Sequence, residues 1–130
     1  MKKLLVGILV LFVLAACGGG ASASVVGIWK LASYNQNPAV ADVDTSIEFK
    51  DGQMNGNVGC NGFGGEYTVD GDMIKFGSVM STMMFCEGRV GDQEMAALAA
   101  MQNSATFALD GDTLTITSED GNSVIVLVRK

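Results

Sequence analysis

Histidine is absent from the chain. That removes Ser-His-Asp and Cys-His catalysis, His-based zinc sites and histidine pH sensing. Basic residues are scarce: 8 Lys and Arg stand against 14 Asp and Glu, a net of −6. Two of the eight, Lys2 and Lys3, lie in an N-terminal leader; without them the balance is 6 against 14, or −8. Nucleic acids and anionic membrane surfaces are bound by clustered Lys and Arg, so this charge balance argues against both. Proline occurs once. What is abundant is glycine, at 17 residues, within a composition 48% hydrophobic and 17% charged. That is the balance of a globular chain, and 130 residues predict one domain.

Residues 1–16, MKKLLVGILVLFVLAA, read as a signal peptide: a positive start, an apolar run from Leu4 to Val13 broken at Gly7, then small residues. The run is short for a bilayer span, which takes ~20 residues; an uncleaved N-terminal anchor is the alternative. Leu14-Ala15-Ala16-Cys17 resembles the bacterial lipoprotein box. The resemblance implies lipidation of Cys17, which becomes the new N-terminus. Two or more acyl chains, at about 0.8 kcal/mol per buried CH₂, anchor a protein stably to a membrane. Gly18 follows, and the lack of Asp there resembles the sorting pattern for an outer membrane, with the protein facing the periplasm. Residues 17–24 then form the lipidated Cys and a Gly/Ser/Ala tether.

Residues 25–130 form the folded domain. Four Asp-Gly pairs punctuate it: Asp51-Gly52, Asp70-Gly71, Asp110-Gly111 and Asp120-Gly121. Asp-Gly between alternating apolar runs signals a type I′ hairpin turn, with positive φ at both residues. The flanking runs alternate, as at Ile47 and Phe49, Ile74 and Phe76, and Leu114 and Ile116. Strands are expected at 26–34, 45–50, 53–58, 65–69, 73–77, 105–109, 112–118 and 123–129. One helix is expected from Asp92 to Asn103, with Asp92 as N-cap and Met95, Leu98 and Met101 on one face. The fold class is therefore α+β: a small, strongly curled, mainly antiparallel, barrel-like sheet with one helix packed against it.

Two cysteines remain beyond Cys17. In an exported domain Cys60 and Cys86 are expected to pair, closing a loop of about 27 residues. A reactive or metal-binding thiol pair is the alternative. Cys60 lies in Gly59-Cys60-Asn61-Gly62-Phe63-Gly64-Gly65, which lacks nucleotide-binding spacing and reads as a sharp turn between hairpins. Cys86 ends Met80-Ser81-Thr82-Met83-Met84-Phe85-Cys86. Its methionines could suggest copper(I) ligation; the ordinary reading is that they fill core gaps under a loop. Calcium at Ser118 to Asn122 is an alternative that the Asp-Gly hairpin already explains. Glu48, Glu66, Asp72, Glu87, Asp92 and Glu94 offer carboxylates for glycoside hydrolysis, but their spacing selects no pair. No catalytic, metal or cofactor site is assigned.

The same residues carry a family resemblance. Trp29 opens the domain in a Trp-x-Leu strand; Gly59, Cys60, Asn61, Gly65 and Tyr67 follow in a G-C-N segment; then come Thr82, Met84 and Cys86, and Glu94 on the helix. The pattern resembles the META domain of HslJ-like bacterial lipoproteins over nearly all of residues 26–129. Gly62 departs from it, standing where the family often has a larger, frequently basic residue. The resemblance implies a compact α+β domain, a role in envelope stress tolerance for some members, no catalytic chemistry, and proximity of the two motif cysteines. The expected partners are the membrane, through the lipid on Cys17, and an envelope protein or small ligand; a monomer is expected.

Overall fold

The computed structural model of the protein describes residues 24–130. The leader, Cys17 and the tether up to residue 23 lie outside the described residues. Ten strands and one helix follow in order: β1 (Gly27–Tyr34), β2 (Asn37–Pro38), β3 (Ser46–Lys50), β4 (Gln53–Asn57), β5 (Gly62–Asp70), β6 (Met73–Phe76), β7 (Met80–Ser81), α1 (Gly88–Ala100), β8 (Ser104–Asp110), β9 (Thr113–Ser118) and β10 (Val124–Arg129).

Eight strands close into an antiparallel barrel. The path runs β1, β3, β4, β5, β6, β8, β9, β10, and β10 pairs back onto β1 with Trp29 opposite Arg129. Each barrel strand therefore neighbours the next barrel strand in the chain, and the closure leaves no long free edge. The two-residue strands β2 and β7 are additions to the expected set; β7 pairs the first part of β5 with Phe63 opposite Ser81. Alternation directs the core. Ile47, Phe49, Met54, Ile74, Leu114, Ile116, Ile125 and Leu127 are wholly buried inside the barrel. The outward Thr113, Thr115 and Thr117 are half-buried.

The Asp-Gly turns divide into kinds. Asp51 and Gly52 both have positive φ, 52° and 75°, as a type I′ turn requires. In the next two, register places the turn one residue later. Asp70 pairs with Met73 and Asp110 with Thr113, so the central residues are Gly71-Asp72 and Gly111-Asp112. Only the glycine is positive there, at 62° and 57°. That is the φ pattern of type II′, which puts Gly first. The expectation of I′ holds at one turn and is corrected at these two. At the fourth, positive φ again falls on Gly121 and not on Asp120.

The helix also departs from expectation. It begins at Gly88, four residues before Asp92, and its N-cap is Glu87, which makes no side-chain cap bond. Its buried face is Gly91, Gln93, Glu94, Ala96, Ala97 and Ala100. Of the expected Met95-Leu98-Met101 stripe, Met101 is wholly buried and Leu98 packs partly against the core, whereas Met95 is exposed. Small residues win because α1 packs closely against β1, β9 and β10. The helix lies at the end of the barrel where β1, β4, β6 and β9 finish, with Tyr34 Oη donating to the Arg89 carbonyl at 3.4 Å. The other end carries the turns at 51–52, 71–72 and 111–112 and both ends of the described chain.

Candidate functional site

At the helix end, a polar cluster is built around Asn61, a buried side chain just ahead of β5. Its backbone N–H donates to Glu94 Oε1 at 2.7 Å, and its Nδ2 donates to Glu94 Oε2 at 2.8 Å. The same Nδ2 donates to the Met84 carbonyl at 3.0 Å. Its Oδ1 accepts from Thr82 Oγ1 and from the Met84 N–H, both at 2.8 Å. One amide thus ties the helix, the start of β5 and the segment after β7 together. Neighbouring Gln93 does the same for other loops: its Nε2 donates to the Val58 carbonyl at 2.7 Å and its Oε1 accepts from Val40 N at 2.8 Å. Among the described residues no buried side-chain polar atom lacks a partner, as a stable interior requires.

Cys60 and Cys86 are joined in a disulfide, with their Cα atoms 6.3 Å apart. Cys86 Sγ lies 3.6 Å from both Glu94 Oε2 and Asn61 Nδ2. Gly91 lets this approach happen: a Cβ there would collide with the Cys86 carbonyl. Of the residues singled out in the sequence, Cys60, Asn61, Thr82, Met84, Cys86 and Glu94 converge here. Gly59 adjoins, with φ +117° and the Val43 side chain against it. Trp29, Gly65 and Tyr67 do not join the cluster. Trp29 sits in the core nearer the other end, its Nε1 donating to the Val25 carbonyl at 2.8 Å under the Arg129 guanidinium, 4.2 Å from the ring. Gly65 lies in β5 opposite Met54. Tyr67 packs edge-on to Phe49 at 5.0 Å, and burial, with Asp51 nearby, pushes its hydroxyl pKa up.

The glycine segment turns only at its start, where residues 58–60 bend between β4 and β5; the expected turn does not extend further. From Gly62 the segment is strand, paired with β4 on one side and, at Phe63 and Gly64, with β7 on the other. Nor do the methionines after it fill the core. Met80, Met83, Met84 and Phe85 are exposed, Met83 at 94% and Phe85 at 87%. A disulfide and three hydrogen bonds from Asn61 fix a segment that holds apolar side chains outward. Sequence reasoning missed Gln93 and Gly91. The available signal was their position: a polar and a small residue beside Glu94 on an otherwise Ala-rich helix.

Other candidates stay apart. Two surface depressions of about 590 Å³ each hold a single carboxylate, Asp92 in one and Glu66 in the other. Paired carboxylates for glycoside hydrolysis are not assembled in either. Asp120 is held below the usual carboxylate range by hydrogen bonds from Ser118 Oγ at 2.6 Å and from Asn122 N and Nδ2, both at 3.0 Å. Its own loop thus occupies the oxygens that a calcium ion would take.

Solved structures with the same architecture exist. A protein determined by NMR aligns with a TM-score of 0.67 at 19% identity, over 78% of this chain and 87% of that one. A Burkholderia xenovorans protein, also determined by NMR, aligns at 0.61 and 19%, over 80% and 81%. A DUF4847 family protein from Bacteroides vulgatus aligns at 0.55 and 16%, over 80% and 92%. At these identities the likeness is one of fold. No curated protein matches. The META domain profile matches residues 23–130, which takes in every strand, the helix and the Asn61 cluster, and the chain therefore belongs to the META domain family.

Proposed function

We propose that this META-domain protein is an exported lipoprotein, anchored through Cys17 in the bacterial envelope, that binds a protein partner through the segment 82–87 and performs no catalysis. One observation carries the reading: the Asn61 cluster and the disulfide hold Met83 and Phe85 almost fully exposed. Apolar side chains fixed outward on a rigid frame are the usual makings of a contact surface. The polarity of the barrel supports the same reading. Ser24, where the described chain begins, lies at the turn end, and the eight residues of β1 separate it from the helix end. At ~3.3 Å per residue that is roughly 25 Å. A protein tethered at Cys17 would thus present Met83 and Phe85 away from the membrane. An outer-membrane location facing the periplasm and a part in envelope stress tolerance complete the proposal.

The test has two arms. Cys17→Ala is expected to leave a larger precursor that no longer floats with lipidated membranes; an unchanged size and membrane fraction would refute the anchor. A photo-crosslinking residue placed at Met83 or Phe85 in living cells is expected to give one discrete adduct. The same residue at Thr113 is expected to give none. Equal labelling at both ends of the barrel would refute the contact surface.

A further inference from the structure

The disulfide hides a second arrangement of its own atoms. Cys60 Sγ, Cys86 Sγ and a Glu94 carboxylate oxygen lie within 4.8 Å of one another. We infer that, once the bridge is reduced, these three donors form a zinc(II) site. The proposal rests on the cysteines and Glu94, independently of the Met83 contact surface.

Geometry supplies the argument. Zinc binds thiolate at ~2.3 Å and carboxylate oxygen at ~2.1 Å, tetrahedrally. The ligand-to-ligand edges of such a site are therefore about 3.6 Å for S to O and about 3.8 Å for S to S. Cys86 Sγ already stands 3.6 Å from Glu94 Oε2. One edge is thus in place before any metal arrives. The large change required is separation of the two sulfurs, which rotations about the Cα–Cβ bonds of the two cysteines supply once the bridge is broken. Glu94 is held in position without that change: Asn61 N and Nδ2 bind its two oxygens at 2.7 and 2.8 Å. Hydrogen bonds of this kind orient metal ligands and tune them. Both cysteines are half-buried, so reductant and metal can reach them, and solvent can fill the fourth position.

The chemistry balances with one named co-reactant. A dithiol reductant gives two electrons and two protons. Its own sulfurs join in a disulfide as the Cys60–Cys86 bond breaks to two thiols. Zinc(II) then displaces both thiol protons into solvent and forms two Zn–S bonds and one Zn–O bond. The bridge and the metal site are alternatives, each excluding the other, so redox state decides which one holds the segment 82–87 to the barrel.

The full-length chain carrying Cys17→Ser, in detergent, leaves Cys60 and Cys86 as its two thiols. It is reduced with a phosphine, freed of reductant without oxygen, and titrated with zinc chloride against a chromophoric zinc indicator. One zinc per chain is expected, bound at least about 100-fold more tightly than by the oxidised chain. Glu94→Gln is expected to weaken binding at least about tenfold, and Cys86→Ser to bring it to the oxidised level. Circular dichroism of the same samples follows the fold. Equal binding by oxidised and reduced chains overturns the inference, as does Glu94→Gln binding like the parent. So does binding that survives in denaturing urea, which would belong to an unfolded dithiol, and so does a reduced chain that takes up no zinc, folded or unfolded.

Discussion

Asn61 is the residue on which the helix end depends. It satisfies Glu94 twice, and the Met84 N–H and carbonyl once each. Leaving a buried polar group without its partner costs about 1–3 kcal/mol, more for a charged group. Asn61→Ala strands several at once, so a loss of about 3 kcal/mol is expected from urea denaturation. Met83→Ala, by contrast, removes a side chain that touches almost nothing and should fall within about 0.5 kcal/mol. A comparable loss in both variants would mean that the cluster is not what stabilises this end. Asp120 gives the residue scale a pH dependence. Its folded pKa is lowered from 3.8, so its contribution is present above the unfolded value and is lost as pH falls through the folded one. The urea midpoint of the wild type should therefore fall more steeply below about pH 4 than that of Asp120→Asn. Identical acid limbs would contradict it.

The elements show which parts of the fold can be read locally. Strands with one face in the core announce themselves by alternation, as at β3, β6 and β9, and the barrel follows from their simple order. What sequence could not show was set by distant partners. Gly62 to Gly64 carry no strand signal; they are extended because β4 pairs with them on one side and β7 with Phe63 and Gly64 on the other. The start of α1 has no side-chain cap to advertise it, whereas Asp92 looked like one and sits exposed inside the helix. The motif residues of the candidate site were visible one by one, but Asn61 as their meeting point was not, because its partners lie 21 to 33 residues away. Gly91 makes the same point as a prediction. In an exposed helix interior Gly→Ala stabilises by ~1 kcal/mol. Here the added Cβ meets the Cys86 carbonyl. Gly91→Ala should instead lower stability by about 1–3 kcal/mol, read from thermal unfolding. A rise in Tm would show that the segment before the helix yields freely.

For the whole molecule, the question is what keeps the barrel closed at each end. The turn end is fastened by Arg129, which donates to the Val26 and Ser24 carbonyls, lies over Trp29 and pairs with exposed Asp112 at 3.5 Å. Such contacts at a solvated rim are worth little each, the ion pair ~0–1 kcal/mol. The helix end is fastened covalently across a sequence separation of 26. Closing a loop of that size removes unfolded-chain entropy worth roughly 3.5 kcal/mol, against a total of ~5–10 kcal/mol for a domain of this size. The two ends should thus respond very differently. Cys60→Ala with Cys86→Ala should lower Tm by roughly 14–28 °C, at ~4–8 °C per kcal/mol, and leave the domain folded at 25 °C. Arg129→Ala should cost about 1–2 kcal/mol and shift Tm by little more than half as much at most. Differential scanning calorimetry on the two variants decides the matter. An Arg129 effect as large as that of the bridge would place the barrel's stability at its turn end, and the disulfide would then serve the segment 82–87 alone.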